Sequence, residues 1–190
     1  MFNDNRSRKL IIVAHCIVNQ NSISDGTADF PSQFEEIVGL LSENKLGIIQ
    51  LPCPELSCLG LDRKDKAGAT RDLLSENTRI RGLMEEPQNM MKLRAKADDI
   101  IEQLEEYQHY GFEILGLIGI NRSPSCGIET TTQNAREEPG RGVFVEVLAE
   151  ELRHKGMTLE MIGVKTSKVE QSVAHVKELI QRSSQGNREA

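Results

Sequence analysis

The chain has no tryptophan, two tyrosines and five phenylalanines, too few aromatic rings for a stacking surface on single-stranded nucleic acid. Positive charge is also short, since 23 basic residues against 29 acidic ones leave a net charge of -6, the wrong sign for a protein held by phosphates. No run of about 18 apolar residues appears, and no charged N-terminal segment leads into a signal-length apolar stretch. The expectation is a cytoplasmic protein without membrane contact. Neither Gly-x-Gly-x-x-Gly nor Gly-x-x-x-x-Gly-Lys occurs, which weakens a nucleotide-binding reading. Cysteine is scarce, at four residues, and none forms the C-x-x-C pair that zinc sites favour.

What is present fits one domain over 1–190, long enough to bury a core at 38 % apolar content. Apolar runs at Leu10 to Ala14, Leu46 to Leu51, Glu113 to Ile120 and Leu159 to Val164 read as strands. Helices are expected from Pro31 to about Glu43, Asn89 to about His109, Gly142 to His154 and Lys168 to Ser183. This alternation predicts an α/β, three-layer Rossmann-like domain with a mostly parallel sheet of about four strands. Residues 61–87 read as a charged insertion or lid, whose Arg63, Lys64, Lys66, Arg71, Arg79 and Arg81 are expected to be a solvated loop. Residues 1–9 look like a loose leader, and Gln185 to Ala190 like a frayed tail.

Cys16, Cys53 and Cys126 each follow an expected strand directly. In a parallel sheet such turns gather beyond the carboxyl ends of the strands, where open α/β folds hold their ligands. Three thiolates without a fourth partner suit a zinc with an open position, or a 4Fe-4S cluster in which one iron lacks a protein ligand. His15 adjoins Cys16, in a structural or supporting role. Cys58 stands at C-x4-C spacing from Cys53. As a fourth ligand it would make an iron-sulfur electron-transfer or binding protein, and otherwise it is a small buried residue.

The third turn reads Asn121-Arg122-Ser123-Pro124-Ser125-Cys126-Gly127, a tight turn whose two serines offer hydroxyls. With Asp25-Gly26 nine residues after Cys16, with Cys53-Pro54-Glu55, and with Gly140-Arg141-Gly142-Val143 ahead of a helix, the chain resembles the thiouracil desulfidase family. The resemblance implies a 4Fe-4S cluster held by Cys16, Cys53 and Cys126, and non-redox removal of sulfide from a small thiolated, thiocarbonyl substrate. It also implies proton-handling groups. Glu55, two residues after a ligand and beside an apolar strand end, is the first choice for general acid. Ser123 is the second, and Asp25 could orient water or bind a ring nitrogen. Asn19, Arg122 and Ser125 are expected to contact the substrate. The first turn, Cys16-Ile17-Val18-Asn19, Ile23-Ser24 before Asp25, and Leu59 to Arg63 depart from the family's usual residues. These changes leave the cluster ligands intact but reshape the pocket, so the resemblance implies a thiouracil-like thiocarbonyl substrate without fixing which one, as in a divergent branch. The oligomeric state is not legible in the sequence.

Overall fold

Side chains alternate across the first strand, β1 (Lys9–Val13): Leu10 and Ile12 belong to one apolar cluster, Ile11 and Val13 to another. A strand buried on both faces this way lies between two helical layers. The computed structural model describes residues 2–186 and has that form. β1 pairs in parallel with β2 (Gly47–Gln50) on one side and with β3 (Glu113–Ile120) on the other, and β3 pairs in parallel with β6 (Met161–Val164). The sheet order is β2-β1-β3-β6. The expected α/β architecture with four parallel strands is therefore the observed one.

Seven helices complete the layers among the described residues: α1 (His15–Val18), α2 (Glu35–Glu43), α3 (Pro54–Leu59), α4 (Leu73–Met84), α5 (Pro87–His109), α6 (Val143–His154) and α7 (Val169–Gly186). On one face Ile80 and Met84 of α4, Leu93, Ala97 and Leu104 of α5, and Phe144 and Leu148 of α6 pack on Leu10, Ile12 and Leu117. On the other, Ile37 and Leu41 of α2 and Val176 and Leu179 of α7 pack on Ile11, Val13 and Ile118. No helix of the described residues is long and apolar enough to cross a membrane.

The structure differs from the sequence reading at several places. The helix expected from Pro31 starts at Glu35, because the preceding residues bond sideways to the first turn: Gln20 N–H donates to Ser32 O at 2.6 Å and Phe34 N–H to Ile17 O at 2.8 Å. The polar stretch after Cys126 contains a hairpin, β4 (Thr130–Gln133) with β5 (Arg136–Pro139). Asn134 and Ala135 both take positive φ at its turn, as a two-residue hairpin requires. Segment 61–87 is not a solvated loop. It carries α4, and its basic residues meet acids: Arg71 and Arg79 pair with Glu76, Arg81 with Glu85, and Arg63 with Glu55. The supposed leader is anchored by Phe2, edge-on to Tyr110 and Phe112. Of the expected tail, Gln185 and Gly186 end α7, while residues 187–190 lie outside the described residues.

Candidate active site

Three chain reversals at the carboxyl edge of the sheet build the site. After β1 the chain enters α1, with Cys16 in its first turn and Ala14 N–H bonded to Ile118 O at 2.8 Å, which ties this turn to β3. After β2, Cys53 caps α3: Pro54 supplies the fixed φ of the first helical position, and Cys53 Sγ accepts from Leu56 N–H at 3.4 Å. After β3, Ser123 Oγ accepts from the N–H groups of Ser125 and Cys126 at 3.3 and 3.0 Å, and Ile120 N–H donates to Cys126 O at 2.9 Å.

The third turn rests on the start of α6. Val143 N–H donates to Pro124 O at 2.9 Å and Phe144 N–H to Ser125 O at 3.0 Å, so amides that a helix start leaves unpaired hold the turn. This contact demands glycine at 142, where a Cβ would lie 2.3 Å from the Ser125 carbonyl carbon and 2.6 Å from Cys126 N.

Cys16, Cys53 and Cys126 line one cavity of about 110 Å³, together with Glu55, Arg63, Gln20, Arg122, Ser123 and Ser125. Burial pushes the Cys16 thiol up to about 12, with the charges of Cys53 and Glu55 adding to it. Burial likewise raises Cys53 and takes Cys126 well above its ordinary value, the latter also facing Cys16 and Cys53. Without a cation the three thiols hold their protons at neutral pH, and a cationic centre that binds there must displace them. Among the described residues no group of three His, Cys, Asp or Glu side chains stands close enough to share one metal ion. A cubane spreads its thiolates over separate irons and so asks for wider spacing than a single ion does.

Glu55 is buried, but not among apolar groups as its place in the sequence suggested. Its Oε2 accepts from Arg63 Nε at 3.0 Å, its Oε1 accepts from Ser125 Oγ–H at 2.6 Å, and Ser24 Oγ stands 3.5 Å from Oε2. Ser125 Oγ is also 3.7 Å from Cys126 Sγ. Ser125 is thus the hydroxyl between carboxylate and thiol, and Ser123 Oγ is occupied in shaping the turn. Arg122 lines the cavity with a backbone φ of 73°. Its guanidinium, whose charge reaches Glu137, has no hydrogen-bond partner among the described residues. His15 also lines the cavity, its Nδ1 3.1 Å from Leu51 O.

Two expected contacts fall elsewhere. Asn19 Oδ1 caps the short 3₁₀ turn Gln20–Ser22, accepting from Asn21 N–H at 3.1 Å. Asp25 lines a neighbouring cavity of about 140 Å³ with Asp62, Asp65 and Arg71. Cys58 is turned away from the site, buried in the cluster with Leu93 and Ala97, where it feels the charges of Lys92 and Lys96 on α5. Cys58 is not among the residues that line the three-cysteine cavity.

Arg63 is the residue that sequence reasoning missed. It is 2 % exposed, and besides Glu55 it holds Gly60 O at 2.7 Å and Ser22 O at 2.6 Å. Ser22 O also takes the Cys53 thiol at 3.8 Å, so one guanidinium joins the first and second cysteine turns. A basic residue within a charged run carries no sign in sequence that it is the buried one.

No protein-family model and no solved structure matches the chain. It is 31 % identical over 157 residues to a protein of Methanocaldococcus jannaschii described as "Uncharacterized protein MJ0003", a match covering 83 % of this chain and 86 % of the other. Shared sequence at that level over most of both chains means common descent, and the chain belongs to the same protein family as MJ0003.

Proposed function

We propose that this protein is an iron-sulfur-dependent desulfidase that converts a small thiocarbonyl compound and water into the corresponding carbonyl compound and hydrogen sulfide. The observation that carries the reading is the meeting of three thiols from three separate strand ends around one cavity, with a buried carboxylate 2.6 Å from a serine hydroxyl at its wall. Cys16, Cys53 and Cys126 would hold a 4Fe-4S cluster, which supplies one iron without a protein ligand as a Lewis acid toward sulfur. The donor set fits such a group: it is all thiol and lines one cavity, with Cys126 buried and Cys16 and Cys53 half-buried.

The chain's own groups handle the protons. Both oxygens of Glu55 act as acceptors, so the side chain is suited to take a proton from the attacking water and then to return it to the departing sulfide. Arg63 fixes the carboxylate. Ser125 donates a hydrogen bond to Glu55 and so holds the carboxylate at the wall of the cavity beside Cys126. Arg122 brings an unpaired cation to the rim, where it stabilises negative charge that develops on the substrate.

The test is anaerobic reconstitution with iron and sulfide, followed by incubation with a panel of thiolated heterocycles and measurement of sulfide and of the oxo product. One 4Fe-4S cluster per chain and stoichiometric sulfide release, without added reductant, are expected. A reconstituted protein that releases no sulfide from any member of the panel would refute the reading.

A further inference from the structure

Among the described residues a single buried side-chain polar atom has no hydrogen-bond partner, and it is Oε1 of Gln20. Gln20 is 3 % exposed and lines the three-cysteine cavity. Its Nε2 donates to Cys16 O at 2.9 Å, and this bond fixes which end of the amide is the oxygen. Its backbone is fixed as well, by the bond to Ser32 O at 2.6 Å. A buried carbonyl oxygen left unpaired is costly, and such atoms mark places where a partner is still to arrive.

Apart from the Arg122 guanidinium at the rim, several polar side chains around the cavity are already engaged. Asn121 Oδ1 accepts from the N–H groups of Glu129 and Thr130 at 3.1 and 3.2 Å, Asn77 Nδ2 donates to Thr132 Oγ1 at 3.3 Å, and Thr166 Oγ1 bonds Asp29. The acceptor still open belongs to the side chain bonded to Cys16, on the cysteine side of the cavity.

We infer that Gln20 is a specificity-determining residue whose Oε1 accepts a hydrogen bond from an N–H next to the thiocarbonyl carbon of the ligand. The amide of Gln20 is bonded to the Cys16 carbonyl, so a ligand N–H that meets Oε1 would lie beside the first cysteine turn. The assignment excludes fully N-alkylated thiocarbonyl compounds, which bring no N–H to this oxygen. The thiocarbonyl part of this assignment rests on the desulfidase reading, whereas the N–H requirement rests on Gln20. Sites built to bond a ligand N–H reject analogues that lack it, because the buried acceptor is then left unpaired.

The test uses the full chain, reconstituted anaerobically, and measures binding by titration calorimetry and sulfide release for 2-thiouracil and 1,3-dimethyl-2-thiouracil. The unaltered protein is expected to bind 2-thiouracil at least about tenfold more tightly. In Gln20→Met this ratio should fall to within about threefold through weaker binding of 2-thiouracil, with iron content unchanged. A ratio near one in the unaltered protein, or an undiminished ratio in a Gln20→Met protein that keeps its iron, overturns the assignment. The comparison of the two compounds on the unaltered protein stands even where the variant fails to fold. Discrimination without sulfide release from any member of the thiolated panel overturns the desulfidase reading and supports Gln20. Release without discrimination, or binding of neither compound, overturns Gln20 alone.

Discussion

Arg63 Nε donates to Glu55 Oε2 at 3.0 Å with the arginine side chain 2 % exposed and the glutamate side chain 10 % exposed, so a buried ion pair spans the gap between a charged surface segment and the second cysteine turn. Breaking such a pair from one side strands a charge, which costs roughly 3–5 kcal/mol. Arg63→Met is therefore expected to lower the midpoint of chemical denaturation strongly. The double variant Arg63→Met, Glu55→Gln should recover part of that loss, and double-mutant analysis of the denaturation curves checks it. Equal stability of Arg63→Met and the parent protein would mean that the pair does not hold the site together.

Glu55→Gln keeps the shape of the side chain and removes its capacity to take a proton. General acid-base groups contribute about 10²- to 10⁴-fold to rate, so sulfide release per bound cluster on an active substrate should fall at least about tenfold, beyond any cluster lost because the Arg63 charge is stranded. Ser123→Ala, by contrast, should act on the turn and reduce cluster retention before it reduces turnover per cluster, since Ser123 Oγ holds two backbone N–H groups. Iron content and rate measured on the same samples separate the two effects.

Gly142→Ala would drive a methyl group into the backbone of the third turn, 2.3 Å from the Ser125 carbonyl carbon. Overpacking of this kind costs about 1–3 kcal/mol, and the displaced turn carries Cys126, so iron retention should drop as well. Gly39 and Gly82 are the matched controls, because a Cβ there meets nothing within 4 Å and both lie inside helices. Alanine at either is expected to stabilise by about 0.5–1 kcal/mol. Thermal melts of the three variants check the contrast.

Glu76 is held below its ordinary value by hydrogen bonds from Arg79 and Arg71, which outweigh the opposing effect of burial. A lowered folded value means stability that is present above the unfolded value of 4.5 and lost as pH falls through the folded one. Glu76→Gln should be less stable than the parent at neutral pH, and the difference should shrink steadily below pH 4.5. Denaturation midpoints across this window test it. A difference independent of pH would show that the residue acts through packing alone.

The strands and the long helices were legible because β1 and β3 are continuous apolar runs and α5 repeats its apolar residues at helical spacing. The convergence of Cys16, Cys53 and Cys126 followed from strand order and a parallel sheet, both readable from alternation. What escaped depends on partners distant in sequence. Pro31 looked like a helix start, but Ser32 and Phe34 are spent on Gln20 and Ile17. The β4–β5 hairpin leaves only a short trace in Thr130-Thr131-Thr132 and Asn134, a β-branched run before a turn residue, within a stretch whose polar composition otherwise reads as loop. Arg63 and Gln20 are polar residues whose burial is set by the third dimension. Nothing in their neighbours along the chain announces it.

The most direct measurement replaces Cys16, Cys53, Cys58 and Cys126 singly by serine, reconstitutes each protein anaerobically with iron and sulfide, and counts iron and sulfide per chain alongside the spectrum of the cluster. The expected result is one 4Fe-4S cluster in the parent and in Cys58→Ser, and loss of stable cluster in the other three. Equal loss in Cys58→Ser, or a parent protein that takes up no cluster under these conditions, would contradict an open three-cysteine site at the carboxyl edge of the sheet.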